Sequence, residues 1–154
     1  MARRVSREEE LAALIADARR LEALSSLLRE LATRAEAYLA ELKLAGSTLD
    51  GLSGQEGAEV LVPIGAGSYV WARVERVDKV VVGVGADVAI EMDVEKAKEV
   101  IGERMAEAER ALNDYVRRLA EVERALAAYR ERMRALVEEG RVAGGAEKGP
   151  QKSA

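Results

Sequence analysis

The sequence predicts an α+β fold, in which two long helices form an antiparallel coiled coil and are joined by two consecutive β-hairpins. Apolar residues recur every seven positions in both flanking segments, as they do along a coiled-coil seam. The middle segment, residues 59–92, is rich in Val and Gly and alternates with the period of two that is typical of strands. Ala, Leu, Glu and Arg dominate elsewhere and aromatic residues make up only 3%, a composition typical of long helices.

Composition excludes several classes of function. The 154 residues fit one domain and contain no Cys and no His, so disulfides, Cys/His zinc sites and catalysis by His or Cys are excluded. A net charge of −4 with interspersed signs argues against nucleic-acid binding. We find neither a signal peptide nor an apolar run long enough to span a membrane. We therefore expect a cytoplasmic protein that is not an enzyme, with no cofactor, metal, membrane or nucleic-acid partner.

The first helix is predicted over residues 6–45. Ser6 opens it with the spacing of a capping box, Gly46 ends it, and residues 47–57 form a Gly- and Ser-rich loop. Asp17 interrupts the seam near the start of the helix. The stripe has one column at Leu14, Leu21, Leu28, Ala35 and Leu42, and a second at Leu24, Leu31 and Tyr38.

The two hairpins are predicted over residues 59–92. Glycines at residues 65–67 and 83–85 supply tight turns; a phosphate-binding loop is less favoured, because Val88 stands where a third glycine is needed. Isolated hairpins are marginally stable, and the apolar stripes of the two helices are expected to pack against each other. We therefore expect the strands to be covered by the same element of another chain. The residues assigned to subunit assembly are Val60, Val62, Val70, Val74, Val80, Val82, Val84, Val88 and Ile90.

The second helix is predicted over residues 93–139, with Asp93 as its cap and Gly140 after its end. Residues 141–154 lack periodicity and are predicted to be a disordered tail. Lys98 is the one weak position of the stripe. One column contains Met105, Leu112, Leu119, Leu126 and Met133, and the other contains Val94, Ile101, Ala108, Tyr115, Val122, Tyr129 and Leu136.

An antiparallel pairing of the two helices within one chain is the most economical arrangement, with a parallel homodimer as the alternative. Antiparallel pairing brings the start of the first helix and the end of the second together at a tip that carries extra aliphatic side chains. We interpret this tip as an adaptable apolar surface for unfolded chains, although a slightly wide core stripe explains it equally well. The predicted client-binding residues are Leu11, Leu14, Ile15, Met133, Leu136 and Val137.

Two segments of the β region resemble the central region of archaeal prefoldin alpha subunits. They are residues 61–70, LVPIGAGSYV, and residues 80–91, VVVGVGADVAIE, and the order helix, two hairpins, helix extends the resemblance to about Gly140. The resemblance implies that residues 1–140 form a single prefoldin-like domain. It also implies a hexamer of two alpha and four beta subunits, whose hairpins form an oligomerisation barrel from which six coiled coils project.

The same resemblance implies a function and partners. Prefoldins are ATP-independent holdases, so we expect capture of non-native client proteins at the coiled-coil tips and delivery to a group II chaperonin. The alternative is a coiled-coil scaffold or tether that binds one folded partner.

Overall fold

The computed structural model describes residues 2–146, with side chains from Arg4 onward, and it confirms the predicted fold class. Two long helices flank two antiparallel β-hairpins. No helix in this part of the chain contains an apolar stretch of the length that crossing a bilayer requires. In chain order the elements are α1 (Ala2–Leu52), β1 (Glu59–Gly65), β2 (Ser68–Arg73), β3 (Lys79–Gly85), β4 (Val88–Asp93) and α2 (Val94–Ala146).

The chain divides into two compact units, and the helices pair antiparallel in each. The first unit contains residues 2–33 and 112–146, where Glu10 pairs with Arg132 and Arg29 pairs with Glu123. The second unit contains residues 34–111, where Asp50 pairs with Lys98 over 2.9 Å. In the first unit the residue numbers of the partners fall along α2 as those of α1 rise. In the second unit a residue near the end of α1 meets one near the start of α2. Both patterns are those of antiparallel helices.

The seam of α1 differs from the predicted one in its second column. The column from Leu14 to Leu42 is buried or half-buried, as predicted. The predicted other column is wrong at Leu24 and Tyr38, which remain 41% and 45% exposed, whereas Leu31 is half-buried. The buried residues lie four positions after the first column instead of three: Ala18, Ser25, Ala32 and Leu39.

Three of the four residues in that column, Ala18, Ser25 and Ala32, have small side chains, which hydrophobicity does not pick out. The second column can lie either three or four positions after the first. Both choices repeat every seven residues, so periodicity alone does not decide between them. Ala and Ser allow the two helices to approach closely, and large residues of α2 fill the space opposite. In the first unit Ala18, Leu28, Val122 and Leu126 form a buried cluster. The half-buried residues that pack against it are Leu21, Tyr115, Leu119, Tyr129 and Met133.

The stripe of α2 is observed as predicted. Ile101, Ala108, Val122, Leu126 and Leu136 are buried, and the intervening stripe residues are half-buried. Lys98, its weak position, keeps its stem half-buried while its ammonium binds Asp50, and this hydrogen bond raises the pKa of the lysine.

Both ends of α1 extend beyond the prediction. The helix begins at Ala2, so Ser6 lies inside it and does not cap it. At the other end α1 continues through Gly46, which faces Ile101 in the seam. A Cβ added to Gly46 would lie 3.9 Å from Cγ2 of Ile101. Ser47 and Thr48 donate hydrogen bonds to the carbonyl of Leu44, at 3.0 and 2.8 Å. Their hydroxyls bond inside the helix, so most of the predicted loop is a further helical turn that ends at Leu52.

The second helix also continues past its predicted end. Gly140 lies inside α2, and the Arg7 guanidinium passes over it, with Nη1 3.3 Å from the position that an added Cβ would occupy. Residues 141–146, assigned to the tail, are helical. Residues 147–154, the rest of the predicted tail, lie outside the described residues.

The two hairpins share one turn geometry. Ala66 and Gly67 have φ of 49° and 71°, and Ala86 and Asp87 have φ of 50° and 58°. Positive φ at both central residues defines a type I′ turn, whose twist matches that of paired strands. The register skips one residue before each turn, so Ile64 and Val84 form β-bulges.

The segments around the hairpins are held by short-range bonds. Backbone bonds join Gly57 and Ala58 to Val74, at 2.7 and 2.9 Å. Asp78 accepts from the Arg76 side chain, which lowers the pKa of the carboxyl, and its carbonyl accepts from the first amide of α2 over 3.0 Å. Arg104 of α2 donates to the carbonyl of Gly83 over 2.9 Å and thereby fastens the second hairpin to the helix.

Candidate functional site: hairpin faces and coiled-coil tip

The first hairpin is apolar on both faces. The register pairs Val60 with Ala72 and Val62 with Val70, which places these four residues on one face, called the valine face here. The opposite face, called the aromatic face, contains Leu61, Pro63, Tyr69 and Trp71. Leu61, Tyr69 and Trp71 are 53%, 60% and 69% exposed, and Val62 and Val70 are 40% and 48% exposed. The aromatic face is therefore left open by the chain itself, and the valine face is covered only in part, at the half-buried Val60 and Ala72.

The second hairpin has one apolar and one largely polar face. Val80, Val82, Ile90 and Met92 share the apolar face, and Val82 is buried within the chain. On the other face Lys79 forms an ion pair with Asp93, and Val81 lies opposite Glu91. The hydrogen bond to Asp93 raises the pKa of Lys79. The second hairpin therefore has one face to cover, whereas the first has two.

The predicted assembly residues fall into two groups in this structure. Val60, Val74 and Val80 are half-buried and Val82 is buried, so these four already pack within their own chain. The others remain open: Val62, Val70, Val84, Val88 and Ile90. The predicted list of assembly residues leaves out Leu61, Tyr69 and Trp71, which alternate in the opposite phase along the same strands.

Strand edges are open in both hairpins. Each forms a two-stranded sheet in the described part of the chain, so every strand is an edge strand. Backbone N–H and C=O groups on the outer side of such a strand are ready to pair with a strand of another chain. The hairpins thus offer both apolar faces and hydrogen-bonding edges for assembly.

The coiled-coil tip combines buried and open aliphatic residues. Leu136 is only 3% exposed and belongs to the core, while Leu11, Leu14 and Met133 are half-buried. Ile15 and Val137 are 39% and 51% exposed. Of the six predicted tip residues, these two are the most accessible to a client.

The register places Ile15 and Val137 opposite each other. Glu22 pairs with Arg130 over 3.2 Å, and Arg29, seven residues further along α1, pairs with Glu123, seven residues back along α2. A step of seven residues in the opposite direction leads from Glu22 back to Ile15 on α1 and from Arg130 forward to Val137 on α2. An apolar rung therefore follows two charged rungs along this flank of the coiled coil.

On the other flank, polar contacts hold the tip. The Arg132 guanidinium binds Glu10 of α1 over 2.8 Å and Glu139 of its own helix over 3.7 Å. An open cleft between the helix ends is lined by Arg7, Leu136 and Val142, among other residues. The tip thus has one charged flank and one apolar flank.

Comparison with known proteins shows the family of this chain. Residues 21–139 match the prefoldin subunit family, which is most of the chain and includes both hairpins. The chain belongs to the prefoldin family.

Several archaeal relatives agree with this assignment. The prefoldin subunit alpha of Methanopyrus kandleri is 38% identical over 105 residues, 68% of this chain and 67% of the relative. That of Methanobrevibacter smithii is 35% identical over 77 residues, 50% of this chain and 53% of the relative, so the matched region spans only part of these proteins. These matches confirm the predicted resemblance to an archaeal prefoldin alpha.

A solved structure shares the fold. A chain in the cryo-EM structure of a filamentous PFD from Methanocaldococcus jannaschii superposes with a TM-score of 0.52 and 31% sequence identity. The alignment covers 79% of this chain and 96% of that chain. The arrangement of two long helices around two hairpins is therefore a prefoldin arrangement.

Proposed function

We propose that this chain is the alpha-class subunit of a cytoplasmic, ATP-independent holdase. It assembles with beta-class subunits into a complex of two alpha and four beta chains, captures non-native proteins at its coiled-coil tips and delivers them to a group II chaperonin. The observation that carries this proposal is the pair of hairpins, which expose apolar side chains and open strand edges in a chain of the prefoldin family.

Assembly follows from the open hairpins. Pairing their edges with strands of other subunits closes a barrel, which removes the edges and buries the open valines. Val62, Val70 and Ile90 are at least 40% exposed in the chain alone, so each has apolar surface left to bury. The chain is accordingly a part of an assembly.

Client capture is assigned to the apolar flank of the tip. Ile15 and Val137 offer aliphatic surface without opening the seam, and burial of such surface contributes about 25 cal/mol per Å². One tip binds a client weakly, but several tips on one complex hold the same client far more tightly, because later contacts are intramolecular. Release then requires only the loss of some contacts.

The chain offers a matched pair of variants to test this assignment. Val137→Ser and Val116→Ser both change an exposed valine of α2, 51% and 50% exposed, but only Val137 lies at the tip. The complex with beta-class subunits is tested for suppression of the aggregation of a thermally unfolded protein. Val137→Ser, alone and with Ile15→Ser, is expected to lower suppression, whereas Val116→Ser leaves it unchanged.

As a control, the mass of each variant complex is measured by light scattering. All of the complexes should have the same mass if the substitutions leave assembly intact. Equal suppression by all variants would remove the tip assignment. Saturable one-to-one binding of a single folded protein, without any effect on aggregation, would favour the tether instead.

A further inference from the structure

A polar cleft opens on the same flank of the coiled coil as the apolar rung of the tip. It has a volume of about 350 Å³ and lies between the two charged rungs, with Glu22–Arg130 at one end and Arg29–Glu123 at the other. Ser25 also lines it. Client capture as proposed above uses only the apolar rung, so this cleft has no role yet.

Ser25 brings a hydroxyl to the cleft from within the seam. The residue is only 5% exposed and is the one buried polar residue of the described core. No hydrogen bond joins its hydroxyl to another residue in the part of the chain that the structure describes, and its oxygen is not sealed from solvent. A polar group so nearly buried costs free energy unless it finds a hydrogen-bonding partner. The cleft is the side from which such a partner reaches it.

The two ion pairs leave further hydrogen-bonding groups at the cleft. Arg29 binds Glu123 through Nη2 and Oε1, and Arg130 binds Glu22 through the same two atoms. The second oxygen of each carboxylate takes no part in these bonds, and neither do the other N–H groups of each guanidinium. Acceptors and donors therefore lie at both ends of one small cleft, while the formal charges of the two pairs cancel.

We propose that this cleft is a second client subsite, which binds the side-chain amide of an Asn or Gln residue. The amide nitrogen donates to a carboxylate of the cleft, and the amide oxygen accepts from a guanidinium or from the Ser25 hydroxyl. A charged side chain is attracted by one member of each ion pair and repelled by the other, and it loses hydration on entry. An aliphatic side chain leaves the polar groups of the cleft without partners. A neutral amide is thus the side chain that this cleft fits.

The distance between the two subsites sets the spacing in the client. The cleft is centred about ten residues along α1 from Ile15, which corresponds to about 15 Å. An extended chain covers this distance in roughly four or five residues. One client segment therefore fills both subsites when an aliphatic residue and an amide residue lie about five positions apart. The inference deepens the client capture proposed above and rests on it, because the apolar rung anchors the same segment.

A series of matched peptides tests the preference for an amide. Each peptide carries one Leu anchor and, five positions away on both sides, Gln, Glu, Lys or Met. Binding to the purified chain, in which no other subunit contributes a tip, is measured by fluorescence anisotropy. The Gln peptide is expected to bind at least about threefold more tightly than the other three, which one net hydrogen bond suffices to supply. Equal binding of the four peptides would overturn the proposal.

The spacing is tested by moving both Gln residues next to the Leu anchor. The amides then no longer reach the cleft, so the advantage of the Gln peptide over the Met peptide should disappear. An advantage that is independent of spacing would contradict the two-subsite arrangement.

Two variants are expected to change the preference in opposite directions. Glu123→Gln leaves the cleft with excess positive charge, so the Glu peptide should gain at least about threefold relative to the Gln peptide. Arg29→Gln leaves excess negative charge, so the Lys peptide should gain instead. Glu10→Gln is the matched control, since Glu10 also pairs with an arginine of α2 and is 43% exposed against 48% for Glu123, but lies on the other flank. A reordering of the peptides by Glu10→Gln as well would contradict the assignment to the cleft.

Ser25→Ala tests the hydroxyl at the seam. Alanine is a strong helix former and smaller than serine, so the coiled coil should persist. Binding of the Gln peptide is expected to weaken about twofold to threefold, while binding of the Met peptide stays the same. Equal changes for both peptides would contradict a bond between Ser25 and the amide.

The aggregation assay distinguishes a failure of this inference from a failure of the proposed function. If Val137→Ser lowers suppression while the four peptides bind equally, the tip captures clients and the inference alone fails. If Val137→Ser leaves suppression unchanged, the tip assignment fails, and the order of the four peptides still decides whether the cleft prefers amides.

Discussion

Single residues set the two hairpin turns. Ala66 and Ala86 occupy the first central positions of the type I′ turns with φ near 50°. A left-handed backbone costs an L-residue with a Cβ roughly 1–2 kcal/mol, and asparagine tolerates it better than alanine does. These alanines are thus points of local backbone strain.

We predict that Ala66→Asn stabilises the chain, because it creates the Asn-Gly pair that type I′ turns prefer. The expected gain in the free energy of unfolding is about 0.5–1 kcal/mol, measured by chemical denaturation. Ala66→Val is the opposing control, since a β-branched residue is poorly tolerated at positive φ. A loss of stability in Ala66→Asn would contradict the assigned turn.

Adjacent residues at the tip have different roles. Leu136 is 3% exposed, so Leu136→Ala is expected to lower the free energy of unfolding by about 2–5 kcal/mol. Val137 is 51% exposed, and Val137→Ala should change the free energy of unfolding by less than about 0.5 kcal/mol. Denaturant melts of the two variants check this difference; similar losses in both would show that Val137 belongs to the core.

The sequence predicted many core residues but missed Ala18, Ser25 and Ala32, which have small side chains. Hydrophobicity selects Leu24 and Leu31 over Ala18 and Ser25, and both sets repeat every seven residues. The choice depends on the residues of α2 that pack opposite, such as Tyr115 and Met133, and these lie far along the chain. Similarly, Leu11 is half-buried and Ile15 is exposed, although both are aliphatic and lie one turn apart on α1.

At the scale of elements, ion pairs between the helices fix the register of the coiled coil. Glu22–Arg130 and Arg29–Glu123 lie on one flank, and Glu10–Arg132 on the other. All six side chains are at least 43% exposed, so each pair contributes little to stability. Their main effect is to penalise shifted registers, in which like charges would meet.

A double-mutant cycle on Glu22→Gln and Arg130→Gln tests this register. The coupling between the two changes is expected to be favourable, about 0.2–1 kcal/mol at low salt, and to shrink in high salt. Glu22→Gln and Arg29→Gln form the control pair, whose effects should add because these residues have other partners. A coupling of zero at low salt would argue against this pairing.

Element types were more predictable than element ends. Periodicities of seven and two identified both helices and all four strands. Gly46 and Gly140 signalled helix ends, yet both lie inside helices. Gly46 faces Ile101, and Gly140 lies under Arg7. Both glycines face the partner helix, and no local signal in the sequence distinguishes such a position from a helix stop.

For the whole molecule, the decisive property is the apolar surface of the hairpins. The sequence predicted that this surface is covered by other chains, because the apolar stripes of the two helices pack against each other. The residues of the aromatic face were not among the predicted assembly residues, since these were drawn from the valine phase. Both faces became visible only when the register paired Leu61 with Trp71.

The mass of the purified chain, measured by light scattering alone and after mixing with a beta-class prefoldin subunit, tests the proposed assembly most directly. We expect a small species alone that converts on mixing to a six-subunit complex containing two copies of this chain. A mass that stays unchanged on mixing would contradict the role of an alpha-class subunit and would favour the tether.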